Sequence, residues 1–207
     1  MKFIKQFLVI LALLFSTQAL AEPQAGKDYT LLNPAQPTHG NKIEVLEFFF
    51  YGCSHCFKLH PLLSAWEKKI PKDVELTYVP AIFNPSWEPM ARAFYALEAL
   101  GQRAQLHDAL FNAWNINSTD LSDEAKIADF VAQHGVDRKK FSHAYNSFSM
   151  QSKVTRAKQM GQSYLIRGTP TLIVDGKYLI SGLHPPETIE VLTALIDKAR
   201  KERTGKH

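Results

Sequence analysis

Cysteine is the residue this chain nearly does without: there are two among 207, both in the stretch FFFYGCSHCFKLHP from Phe48 to Pro61. Small exported domains that depend on disulfides link distant segments with several bridges. Here the one possible intrachain bond, Cys53 to Cys56, closes a very small loop, and loop-closure stabilisation grows with loop length. A disulfide scaffold is excluded, and a structural staple explains the pair poorly. Blocks of Lys and Arg are absent too, as is any aromatic-basic interleaving, which argues against nucleic acid as a partner. No second ligand pair completes a closed four-ligand zinc site, and His55, lying between the thiols, is badly placed to join both of them. The chain has no internal repeats and no low-complexity segments.

Long apolar runs are also scarce, with one near the start. Lys2 and Lys5 precede the apolar stretch Phe7 to Phe15, and Ala19-Leu20-Ala21 offers the small-x-small pattern that signal peptidase needs. The run is about half of the roughly 20 residues a membrane-spanning helix requires. The expectation is a cleaved signal over 1–21 and an exported chain beginning at Glu22, without a cysteine there to carry a lipid anchor. Without Lys2 and Lys5, 22 basic residues face 20 acidic ones, a net charge of about +2. Such a balance suits peptides or other proteins as partners. The remaining length is enough to bury a core without covalent staples.

What is present reads in order. Tyr29 to Leu32 predicts a short strand, and Ile43 to Tyr51 (IEVLEFFFY) a buried parallel one. A helix is expected from Ser54 to Ile70, with Leu59, Leu62, Leu63, Trp66 and Ile70 on one face, a kink at Pro61 and a stop at Pro71. Val74 to Val79 predicts another strand. The next ninety or so residues hold no convincing strand and five helical patterns. One opens at Pro89 and runs to Gly101, and one carries Leu106, Leu110, Phe111 and Trp114. A third is capped by Ser122 and stopped by Gly135, a fourth is capped by Asp137, and the last covers Met150 to Met160. Thr171 to Val174, the turn Asp175-Gly176 and Tyr178 to Ser181 predict a hairpin, and Glu187 to Lys201 a closing amphipathic helix.

The chemistry concentrates at the cysteines. A strand ending in Gly52 and feeding a helix puts Cys53 at the helix N-terminus, where free N–H groups and the dipole favour a thiolate, the nucleophilic form. Cys56, one turn on, can resolve a mixed disulfide. His55 can offer a proton or positive charge to the sulfur. Glu47 shares a strand face with Ile43, Val45, Phe49 and Tyr51, so it reads as a buried carboxylate with a raised pKa. Beneath the pair it could exchange the proton that Cys56 must lose and regain. The bland readings of these residues are an inert local link for the CxxC, an exposed helix-start His55, and a Glu47 turned to solvent. His60, His107, His134 and His143 read as surface or packing residues, and Phe57 and Trp66 as core.

GKDYTLL near the start, LEFFFYGCSHCFKLHP, AYNSF at Ala144 to Phe148 and IRGTPTLIVDGKY at Ile166 to Tyr178 together resemble the DsbA family of exported thiol:disulfide oxidases. The resemblance implies an α/β fold: a thioredoxin-like domain over 22–83 and 165–207, with an inserted all-helical domain over 84–164. It implies Cys53 as nucleophile, Cys56 as resolving cysteine, His55 as tuning residue, a cis Pro170, and Thr169 as a substrate-contacting residue. It further implies a periplasmic monomer without cofactor or metal. Its partners would be folding exported proteins and a DsbB-like membrane quinone reductase that reoxidises it. Ser54 stands where the best-known members have proline. Two alternatives stay open at this point, a disulfide isomerase or reductase and a metal-binding protein using the CxxC. Isomerases of this type carry a separate N-terminal dimerisation domain, whereas here about twenty residues separate Glu22 from the first long strand.

Overall fold

The computed structural model describes residues 22–38 and 40–205; the expected signal segment lies outside them. Strand β2 (Ile43–Phe49) is the axis of the fold, with Val45, Phe48 and Phe49 fully shielded from solvent. Its nearly continuous apolar run, rich in β-formers, suits a strand covered on both faces. It pairs in parallel with β3 (Val74–Pro80) on one side and antiparallel with β4 (Thr171–Val174) on the other. With β1 (Thr30–Leu31) and β5 (Tyr178–Ser181) the sheet has the order β1-β5-β4-β2-β3. A parallel neighbour demands a crossover, and α1 (Ser54–Glu67) supplies it. The β4–β5 hairpin turns at Asp175 and Gly176, φ +53° and +68°. Both left-handed residues suit a twist-matched two-residue turn, and a Cβ on Gly176 would strike the Gln36 carbonyl.

Between β3 and β4 the chain is helical. After a single 3-10 turn (Pro85–Trp87) come α2 (Glu88–Ala99), α3 (Arg103–Asn115), α4 (Glu124–Gln133), α5 (Arg138–Tyr145) and α6 (Phe148–Ser163). Helix α2 buries Met90, Ala93, Phe94 and Leu97 and touches the other four. The closing helix α7 (Pro185–Thr204) packs on α1, β2, β4 and β5. The thioredoxin-like α/β fold with a helical insertion is therefore as expected. Val45 and Phe49 face α1 and α7, and their apolar cluster continues through Phe94 and Phe111 into the insertion. Leu46 and Phe48 face the opposite way, toward Ala157 of α6 and Tyr164.

Several local expectations are corrected. Strand β2 stops at Phe49 rather than Tyr51, and α1 ends at Glu67 rather than Ile70. Leu62 is 39% exposed, so it lies off the buried face that Leu59 and Leu63 share. Pro61 lies inside α1, where the sequence reading put it. The cap of α4 is Asp123, whose carboxylate accepts from Lys126 N, and not Ser122. Helix α6 begins two residues before Met150 because Ser147 caps it. Asp137 caps α5 as expected, and Gly135 (φ +88°) follows α4 at its stop.

Candidate active site

The turn that ends β2 is held from the helical insertion. Asn115 Nδ2 of α3 donates to the Tyr51 carbonyl at 2.8 Å and to the Phe111 carbonyl at 2.9 Å. The Tyr51 hydroxyl meets His107 Nδ1 at 2.7 Å, and the Phe50 ring lies flat on Trp87, centroids 3.8 Å apart. A Cβ on Gly52 would come within 2.9 Å of the Trp114 indole and closer still to the Phe50 ring. Glycine is thus required there by close packing, and the backbone leaves the turn in a fixed direction.

That direction makes Cys53 the N-cap of α1. Its Sγ accepts from the Cys56 amide at 3.3 Å, and both cysteines are free thiols. A hydrogen bond from the Cys56 thiol, helped by Thr169 and by the amides of Cys56 and His55, outweighs partial burial and draws the Cys53 thiol down from its ordinary 9.0 to about 5. Protonated, Cys53 donates to the Thr169 carbonyl at 3.2 Å; that bond belongs to the thiol, while the Thr169 side chain supports the anion. Cys56 is the opposite case. Burial first, then its bond to Cys53 and the nearby Glu47 charge, drive its thiol far above the ordinary value. One cysteine is held as an anion and the other as a thiol.

Glu47 is 2% exposed, as its strand face predicts. Burial, then the charges of Glu67 and Cys53, raise its carboxyl from 4.5 to about 8. Its neighbour across the parallel β2–β3 pair is Tyr78, whose hydroxyl donates to Glu67 Oε2 at 2.8 Å.

On the other side of Cys53, Thr169 and Pro170 precede β4 on a loop that Thr171 Oγ1 ties to the Gly168 carbonyl at 2.8 Å. The Thr169–Pro170 peptide is cis, as expected. This loop borders a cleft of 770 Å³ lined by Leu31, Leu165, Thr169, Pro170, His184 and His55, among others. Leu165 projects into it 60% exposed, at φ +54°. The imidazole of His55 is exposed and makes no hydrogen bond to Cys53; what His55 brings to the sulfur is its amide. Among the described residues no group of three or more His, Cys, Asp or Glu is arranged to hold a metal ion.

The sequence reading set His60 and His107 aside as surface or packing residues. Both are buried, their rings 4.7 Å apart, with His60 Nε2 on Asp108 Oδ1 at 2.5 Å and His107 on Tyr51. Their other nitrogens have no partner. Asn115, Tyr78 and Glu67 were also missed. For Tyr78 a signal existed, since pairing the two apolar runs in parallel brings it beside Glu47.

Comparison with known proteins gives a consistent answer. Residues 44–193 match the family model described as a DSBA-like thioredoxin domain. The chain is 36% identical over 198 residues to the thiol:disulfide interchange protein DsbA of Pseudomonas aeruginosa, covering 93% of this chain and 94% of that protein. It is 37% identical over 189 residues to the protein of that name from Pseudomonas syringae pv. tomato, covering 89% and 88%. Among solved structures, Pseudomonas aeruginosa DsbA superposes with a TM-score of 0.85 at 35% identity, covering 88% of this chain and 97% of that one. DsbA from Xylella fastidiosa superposes with a TM-score of 0.82 at 31% identity, covering 87% and 99%.

Proposed function

The chain belongs to the DSBA-like thioredoxin-domain family and is a thiol:disulfide oxidoreductase, and from that premise we propose that it works as a dithiol oxidase on newly exported proteins in the periplasm. The observation that carries this is the split between the two cysteines, a stabilised Cys53 thiolate beside a Cys56 held as thiol. Stabilising the thiolate stabilises the reduced form, and a protein that prefers to be reduced is an oxidant.

The reaction runs in two displacements. A substrate thiolate attacks Cys53 Sγ, the Cys53–Cys56 bond breaks, and the Cys56 sulfur leaves with the electron pair. Because that sulfur sits in a buried site, it must take a proton as it leaves, and the protonated Glu47 carboxyl supplies it. A second substrate thiolate attacks the substrate sulfur of the mixed disulfide and releases Cys53 as its stabilised thiolate. Two electrons have passed from the substrate dithiol to the cysteine pair. A DsbB-like membrane quinone reductase takes them away, with Glu47 now accepting the Cys56 proton.

Thr169, Pro170 and the cleft beside them serve recognition. An extended substrate segment adds to the Thr169 backbone as a strand edge, so affinity comes from main-chain bonds and little from side chains. Pro170 contributes by lacking an N–H that would compete for the sulfur. His55 lends its amide to the thiolate and its imidazole to the rim of the cleft.

The decisive measurement is the equilibrium redox potential against glutathione. The family's known oxidant stands at about −120 mV and thioredoxin at about −270 mV, values that belong to those proteins. A potential near the first is expected, and one near the second would mean a reductase.

A further inference from the structure

Glu47 does not stand alone: a second carboxylate, Glu67, lies at the opposite end of α1 from the cysteine pair, and its charge acts on Glu47 there. We propose that Glu67, fixed by Tyr78 and Arg103 at the last turn of α1, is a positioning residue for disulfide exchange, its negative charge keeping the Glu47 carboxyl in the proton-donating form.

The geometry is a short chain across two elements. Glu47 and Tyr78 are register partners in neighbouring parallel strands, so their side chains leave the same face of the sheet about 5 Å apart at the backbone. Tyr78 directs its hydroxyl to Glu67 Oε2 at 2.8 Å and carries the Arg103 guanidinium over its ring at 4.8 Å. Arg103 also lies 3.8 Å from Glu67 Oε1. Glu67 keeps a third of its side chain in solvent, while Glu47 is sealed in. A like charge nearby disfavours ionisation of a buried acid.

The groups acting on Glu47 are few. Helix α1 and its cap contribute Cys53, Cys56 and Glu67; the turn after β2 contributes Tyr51; β3 contributes Tyr78; and α3 sets Arg103 against Glu67. Helix α7 packs on the same strand but buries Val191, Leu192, Leu195 and Ile196 there and no ionisable group. Strand β4 places Leu172 opposite Glu47. When Cys53 is bonded to Cys56 it has no charge. Glu67 is then the anion left acting on Glu47, in the redox state where Glu47 must hold a proton ready for the departing Cys56 sulfur.

This inference rests on the role proposed for Glu47, and the test separates the two. The Glu47 carboxyl is titrated by NMR in the full chain labelled with carboxyl-13C glutamate, its resonance assigned by Glu47→Gln, alongside the pH–rate profile for oxidation of a dithiol peptide. In oxidised Glu67→Gln the Glu47 midpoint falls by about half to one pH unit. The alkaline limb of the profile moves with it, leaving the rate about two- to fivefold lower at pH 8 and unchanged at pH 6. Glu67→Asp, which keeps the charge, restores the profile, and Arg103→Gln shifts the midpoint upward. In a Glu47→Gln background, Glu67→Gln moves nothing further. A Glu47 midpoint unmoved in oxidised Glu67→Gln, or a profile unmoved while the melting temperature falls, overturns the inference and leaves Glu67 a tether between α1 and β3. If instead the unaltered protein fails to oxidise dithiols while the midpoint still shifts, the proposed function fails and the electrostatic coupling stands.

Discussion

At the Ile43 end of β2 several charged groups are paired. Lys177 and Tyr178 both engage Glu202, Arg203 clamps Asp175 and donates to the Asn41 carbonyl, Arg200 holds Asp73 at 2.6 Å, and Lys198 donates to the Tyr29 hydroxyl at 3.1 Å. At the Phe49 end, about 20 Å along the strand, Glu47 is buried without an ionic partner, His60 and His107 each bury an unbonded nitrogen, and a cysteine serves as a helix cap. Both ends lie on one strand and share one apolar cluster. Unpaired buried polar groups are destabilising, so a chain that satisfies them at one end and not at the other separates stability from chemistry along a single element.

The sharpest break in this contrast comes at Cys53. Cys53→Ser is expected to lower dithiol-peptide oxidation to the uncatalysed rate, while Cys56→Ser forms mixed disulfides through Cys53 that persist on non-reducing gels. If Cys56 is the residue that iodoacetamide labels first at low pH, the two roles are exchanged.

Next is Glu47→Gln, which should pull activity and stability in opposite directions. Its folded carboxyl titrates near 8 against 4.5 when free, so the folded state holds a proton that the unfolded chain gives up. Stability from this group is full below about 4.5 and declines as pH rises toward 8. At pH 7 the neutral glutamine is expected to gain about 2–4 kcal/mol in urea denaturation. The rate of Cys53–Cys56 reduction by substrate is expected to drop about 100-fold. A variant less stable than the parent at pH 7 would show Glu47 to be structural.

Redox state should matter third. The Cys53 thiol falls from 9.0 to about 5 on folding. Its contribution to the reduced protein is full above about 9, shrinks as pH falls, and is gone below about 5. The reduced form should therefore melt above the oxidised form at pH 8, with the gap closing toward pH 4.5; an oxidised form with the higher midpoint at pH 8 contradicts the oxidant reading. Because His55 reaches the sulfur through its backbone amide, His55→Ala is expected to leave the midpoint of the thiolate absorbance at 240 nm at about 5, and a raised midpoint would show that the imidazole also tunes the sulfur.

The smallest effect belongs to the paired end. The Asp175 side chain is 9% exposed, so Arg203→Ala leaves a nearly buried carboxylate uncompensated and should destabilise by about 1–3 kcal/mol. Oxidation rates should not change. A loss of rate with intact folding would mean the two ends are coupled.

The sequence made the paired scaffold and the cysteines readable for the same reason: both are local. Strand β2 is a nearly continuous apolar run rich in β-formers, the hairpin announces itself at Asp175-Gly176, and the offset of Glu47 along its strand marks it as inward-facing. Where two adjacent residues could each cap, as Ser122 and Asp123 could, composition did not choose between them. The partners that complete the site are distant in sequence. His60 meets a residue 48 positions on, Tyr51 meets one 56 positions on, and Glu67 reaches Tyr78 only because α1 crosses back to place β3 beside β2. No periodicity encodes such meetings; they follow from the topology.

Helix α1 has no Ser, Thr, Asp or Asn at its N-cap, only the sulfur of Cys53 accepting from the Cys56 amide. A thiolate is a strong acceptor, and a sulfur already bonded to another sulfur is a weak one. Oxidation should therefore weaken this cap and reduction restore it. The Cys56 amide should exchange with deuterium faster in the oxidised protein than in the reduced one, as a clock of the cycle written in backbone motion.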